Sequence, residues 1–171
     1  MQTIIKICMG ILFLVQFGFA HADENYDRLS PQTKQQIDCL TENIYFEARN
    51  QSIEGHKAIA FVTINRSRSD KFPSTICGVV KQKRITCQFS WHCNINARDR
   101  YVIRQKDKDG YRKARTIAMI VYFNYHRMYD ITKGSIFFHK VNSNPKWRHN
   151  LVKTVKLGDH IFYRIPHGNS S

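Results

Sequence analysis

The sequence predicts an α+β fold, a helical core followed by a small antiparallel β element near the C-terminus. Three observations lead there. Segments from about Gln35 to Arg49, from Ser52 to the charged "NRSRS", and from Tyr111 to Tyr129 carry apolar residues at helical spacing. The later stretches "GSIFFHKV" and "LVKTVKLGDHIFYRI" read as strands, with "LGDH" a credible hairpin turn. The chain has 171 residues, 42% hydrophobic and 12% aromatic, which suffices for one domain with a real core and not for two.

The N-terminus, "MQTIIKICMGILFLVQFGFAHA", has an early Lys6, an apolar run from Ile7 to Ala20, and the ending Ala20-His21-Ala22. The run is short for a membrane span, and the A-x-A ending suits signal peptidase. Residues 1–22 are therefore expected to be a cleaved signal, with a retained or releasable membrane anchor as the competing reading. A polar leader over 23–36, a main domain over 37–166 and a tail over 167–171 complete the expected organisation. The protein is expected to be secreted or periplasmic, with no stable membrane span after signal removal.

In the first helix Ile37, Leu40, Ile44 and Ala48 make one apolar stripe, and Glu47 lies beside Leu40 on its edge. "NQS" ends that helix. Ser52 suits an N-cap for the second, with Glu54 in the first turn favourable to the helix dipole. The second helix presents Ala58, Ile59, Phe61, Val62 and Ile64. "DKFPSTICGVVKQKRITCQFSWHCN" is expected to be mostly loop, with a short apolar turn around Val79. In the third helix Ala114, Ile117, Ala118, Val121, Tyr122, Tyr125 and Met128 keep helical spacing.

Cys8 leaves with the signal, so four cysteines remain: Cys39, Cys77, Cys87 and Cys93. An even number in an exported chain implies up to two disulfides, with three pairings open. Zinc is a poor alternative, because C-x5-C without C-x-x-C is not a ligand pattern. His56, His92, His126, His139, His149, His160 and His167 are scattered with no H-E-x-x-H, so no metal site and no cofactor are expected. The net charge of +14 favours anionic partners such as phosphates, carboxylate-rich polymers or membranes. Nucleic acid is set aside, because the chain reads as exported and shows no nucleic-acid motif.

Glu47 is the candidate for chemistry. Partial burial on an apolar face raises a carboxyl pKa, and a protonated carboxyl in a cleft is what glycosidic-bond cleavage asks of its general acid. Arg49 points to another side of the helix and need not neutralise it. In "CQFSWHC", Gln88 and Ser90 are candidates to hydrogen-bond a sugar while Trp91 stacks on its apolar face; Phe89 and Trp91 equally suit a core.

"LTENIYFEARNQSIEGHKAIAFVTINR", "FPSTICGVV", "CQFSWHC", "NPKW" and "GDHIFYR" occur in an order that closely resembles the cell wall hydrolases of the spore cortex-lytic (SleB-type) family. The resemblance spans about Cys39 to Arg164 and makes 37–166 a catalytic domain. It implies a lysozyme-like (lytic transglycosylase-like) core in which the Glu of "EAR", here Glu47, is the essential acid. Two departures stand out. The chain reads "EARNQ" where the family commonly has "EARGE", so an acid is absent at position 51. Of a His-Tyr-His triplet before "NPxW", only His139 survives beside Phe137 and Phe138, and it is carried over as a substrate contact.

The expected substrate is peptidoglycan, cut between N-acetylmuramic acid and N-acetylglucosamine by a monomeric enzyme. Glu54, Asp70 and Asp99 offer no persuasive second carboxylate, so a one-acid lytic transglycosylase is expected rather than a hydrolase. An amidase and a non-enzymatic basic envelope-binding protein are the alternatives.

Overall fold

The computed structural model describes residues 26–166. The expected signal segment, Cys8, His167 and the tail lie outside these residues. The described chain falls into two units, one ending at Lys34 and one beginning at Gln35. In the first, the Ser30 hydroxyl accepts from the Thr33 amide at 3.2 Å and Lys34 Nζ donates to the Asp27 carbonyl at 2.8 Å.

Helix α1 spans Pro31–Ala48, so it starts about a turn before the predicted Gln35 and takes in the last part of the expected leader. The cause is local: Ser30 caps it, and proline at the first helical position loses no hydrogen bond. Its Ile37, Leu40, Ile44 and Ala48 are all buried, as the spacing predicts. Helix α2 (Ile53–Ser67) begins where Ser52 accepts from the Gly55 amide, and it packs on both α3 (Ile76–Lys81) and α6 (Lys108–Asn124).

The predicted loop contains two short helices, α3 and α4 (Ser90–Asn94), and α5 (Ala97–Lys106) follows it. Thr75 caps α3 by accepting from Gly78 N. Helix α6 starts before Tyr111 because Asp107 caps it, and it stops at Asn124 rather than Tyr129. Tyr45 of α1 donates to Asp107 at 3.0 Å, which fastens the α5–α6 corner to the helix carrying Glu47. Both disulfides form, as Cys39–Cys77 and Cys87–Cys93.

Strands β1 (Phe137–Lys140), β2 (Val152–Leu157) and β3 (His160–Arg164) form an antiparallel sheet in the order β1-β3-β2. A one-turn 3₁₀ helix, Lys146–Asn150, precedes β2. Gly158, at φ 53°, opens the β2–β3 turn. That positive φ favours glycine, and a Cβ there would also displace the Gln51 side-chain amide. Among the described residues no helix is long and apolar enough to cross a membrane.

Candidate active site

The site begins with Asn43, one turn before Glu47 on α1. Asn43 is fully buried, donates to Thr63 of α2 at 2.9 Å, and accepts from the Trp91 indole at 3.1 Å. Phe46 then stacks on Trp91 with centroids 4.8 Å apart. These contacts fix the last turn of α1, and with it the direction of Glu47.

The opposite wall is placed by "NR". Asn65 donates to Asp130 at 2.9 Å and to the Ser135 carbonyl at 3.0 Å, and Arg66 Nε donates to the Ile136 carbonyl at 2.7 Å. This pair holds the segment that enters β1. The sequence marks it as a charged helix end, but Arg66 is only 3% exposed. Three aromatic rings, Phe72, Phe89 and Phe138, surround its guanidinium at 5.0–5.5 Å. Burial lowers the Arg66 pKa to about 10, and Glu47 acts against that shift.

Between the walls lies a groove in two parts. One, of about 370 Å3, is lined by Phe137, Phe138, His139 and Trp147 with Gln88 and Ser90 at its side. The other, of about 500 Å3, is lined by Arg49, Asn50, Gln51, Asn142 and Asp159. Glu47, Lys140 and His160 line both. Glu47 is half-buried, and burial raises its carboxyl pKa while Arg66 and Lys140 pull it down. The carboxyl therefore holds its proton to a higher pH than an ordinary glutamate, with Arg66 and Lys140 in place to offset its charge once the proton leaves.

The predicted sugar contacts divide. Gln88 and Ser90 line the aromatic part, held on the loop that Cys87–Cys93 closes. Trp91 does not offer a face to a sugar: it lines neither part of the groove and is packed on Phe46, with Arg100 5.8 Å from its ring centre. Its residue type suits stacking, but its position makes it the support beneath the catalytic helix. His139 lines the groove, yet Nε2 pairs with the Tyr163 hydroxyl at 3.0 Å and Nδ1 with the Lys140 carbonyl at 2.8 Å.

The residues that sequence reasoning left without a role are Arg66, Lys140, Trp147, Asp159 and His160. "NR", "NPKW" and "GDHIFYR" carry four of them, but nothing in one dimension says that they converge. Trp147 is 39% exposed and keeps ring contacts with Phe137, His139 and Tyr163. Glu54, Asp70 and Asp99 line neither part of the groove. Asp159 does, with its carboxylate accepting from Gln51 Nε2 at 2.8 Å. Among the described residues no three His, Cys, Asp or Glu side chains gather as a metal site would need.

Two solved structures share the fold. The chain is similar to the catalytic domain of the germination-specific lytic transglycosylase SleB from Bacillus anthracis, at 21% identity and TM-score 0.53 over 80% of this chain and 98% of that one. It is also similar to the catalytic domain of the Bacillus cereus SleB protein, at 23% identity and TM-score 0.51 over 76% and 91%. The architecture is thus the lysozyme-like one, as the resemblance implies. A search of curated proteins finds no match. The family model for cell wall hydrolases matches residues 50–163, which covers both "NR" and the strands of the groove and begins three residues after Glu47. The groove's far wall and the fold that carries it are those of one family, and the chain belongs to the cell wall hydrolases.

Proposed function

We propose that the protein is a peptidoglycan lytic transglycosylase with Glu47 as its single acid–base residue. One observation carries the reading: a half-buried carboxyl, biased towards its protonated form, sits where two parts of a long groove meet. A groove that continues on both sides of the acid suits a polymer cut internally. The Cys87–Cys93 loop brings Gln88 and Ser90 to one side of the glycan, and Trp147 replaces Trp91 as the stacking ring.

Glu47 gives its proton to the glycosidic oxygen as the bond to C1 of N-acetylmuramic acid breaks. The N-acetylglucosamine end leaves as an alcohol. Glu47, now a carboxylate beside Arg66 and Lys140, takes the proton of the muramic 6-hydroxyl as its oxygen bonds to C1. The ring closes as a 1,6-anhydro sugar, Glu47 regains its proton, and no water is consumed. Asp159, the other carboxylate lining the groove, is engaged by Gln51 rather than poised over a water.

The reading places the mature chain outside the cytoplasm, where its substrate lies, with residues 1–22 removed. The positive charge, +14 over the full sequence and one less without Lys6, concentrates it on an anionic wall. Mass spectrometry of fragments released from purified sacculi tests the reaction. Anhydromuramic ends, one water lighter than reducing ends, are expected. Reducing ends would make the enzyme a hydrolase, with Asp159 as its second carboxylate. New free amino groups without glycan cleavage would make it an amidase.

A further inference from the structure

Two histidines sit on the neighbouring strands β1 and β3, one register step apart, and their surroundings differ. His139 has both ring nitrogens engaged by the protein. His160 opens β3 opposite Lys140, is 1% exposed, and lies edge-on to Phe138 at 5.3 Å. Among the described residues, neither of its ring nitrogens has a hydrogen-bond partner. A buried polar group left this way costs stability, and native folds retain few of them without a use.

The position of the ring supplies the use. His160 lines both parts of the groove, as Glu47 does. The geometry points to His160 as a second substrate-contacting residue: its ring borders both parts of the groove, and a turn of the imidazole towards a seated saccharide gives the two unpartnered nitrogens their hydrogen bonds at the linkage that Glu47 cleaves. This assignment rests on the glycan-cleavage reading above. Burial first, then Lys140, lowers the ring's pKa below the ordinary imidazole value; Asp159 acts the other way, and His139 adds a smaller lowering. An uncharged imidazole carries one N–H and one lone pair. It therefore offers a donor to an acetamido carbonyl and an acceptor to a ring hydroxyl without adding a cation beside the acid. Orienting the sugar so that its 6-hydroxyl faces C1 is the service such a contact gives, and its benefit falls on the transition state.

The test is His160→Phe and His160→Gln in the full chain, assayed on soluble glycan oligomers alongside thermal unfolding. Phe fills the same aromatic surroundings and removes the unpartnered nitrogens, so Tm is expected to hold or rise. Its kcat is expected to fall about tenfold or more, with KM changed far less. Gln, with a donor and an acceptor, is expected to recover part of kcat. A folded His160→Phe protein with parental kcat overturns the assignment. If Phe does not fold, His160→Leu takes its place, and if neither apolar variant folds the ring serves the fold and the assignment falls. Glu47→Gln runs in parallel. An inert Glu47→Gln with a fully active His160→Phe overturns this inference alone, whereas an active Glu47→Gln overturns the glycan-cleavage reading beneath it.

Discussion

The two parts of the groove meet at Glu47 and are made of different chemistry. One is aromatic: Phe137, Phe138 and Trp147 line it, and two of its polar groups, Gln88 and Ser90, come from a disulfide-closed loop. The other is polar, with Arg49, Asn50, Gln51, Asn142 and Asp159 around a larger space. Aromatic faces suit the apolar faces of sugar rings, whereas charged and amide groups suit the peptides and acetamido groups that sugars carry. The acid stands at the boundary. There burial raises its pKa, while Arg66 and Lys140 favour its anion. A carboxyl sunk wholly into either part would lose one of these conditions.

The boundary itself gives the largest expected effect. Glu47→Gln keeps the shape and removes the transferable proton, so the rate of wall lysis should fall by about 100-fold or more. The same variant sharpens the comparison through stability. A carboxyl whose folded pKa is raised favours the fold fully below its unfolded pKa, and that contribution is lost as pH rises through the folded value. At neutral pH Glu47→Gln should therefore match or exceed the parental Tm, and the difference should shrink in acid. A Tm that falls at neutral pH, or lysis at the parental rate, would remove Glu47 from the boundary.

The aromatic part comes next. Trp147→Ala removes a half-open ring, and about 1 kcal/mol of stacking corresponds to a roughly fivefold rise in KM with kcat near parental. A change in kcat with KM constant would show that the ring positions the reaction rather than the polymer. The polar part gives the smallest effect. Gln51 joins the α1–α2 loop to the β2–β3 turn by donating to the Asp159 carboxylate and accepting from the Asp159 amide at 3.1 Å. Gln51→Glu sets two carboxylates together at an exposed position and should cost about 1 kcal/mol of stability. Adding Asp159→Asn should restore most of it. Additive losses in that double-mutant cycle would show that the two side chains do not communicate.

The helices that bury an apolar stripe were legible residue by residue. Ile37, Leu40, Ile44 and Ala48 face the core as their spacing requires, and the core face of α2 follows the same rule. Helix α5 was not legible because none of its residues is buried, so it has no apolar period to read. Helices α3 and α4 are too short to establish one. Glu47 could be singled out because an acid on an apolar edge is a local anomaly. The partners of Glu47 could not, since Arg66 is nineteen positions away and His160 more than a hundred. Trp91 and Trp147 show the same limit: the residue type promised a ring for the sugar, but only packing decides which ring is covered.

The Cys39–Cys77 bond has a consequence for where the molecule can hold its shape. Cys39 lies two turns before Glu47 on α1, and the crosslink closes a separation of 38 residues. By loop entropy such a bond is worth about 4 kcal/mol, against a total of roughly 5–15 kcal/mol for a domain of this size. In a reducing compartment the helix that carries the acid loses that share of its stability. The chain is then least settled where thiols are kept reduced, and it reaches full stability only after oxidation. Thiol chemistry thus ties the shape of a wall-cutting groove to the side of the membrane on which the wall lies.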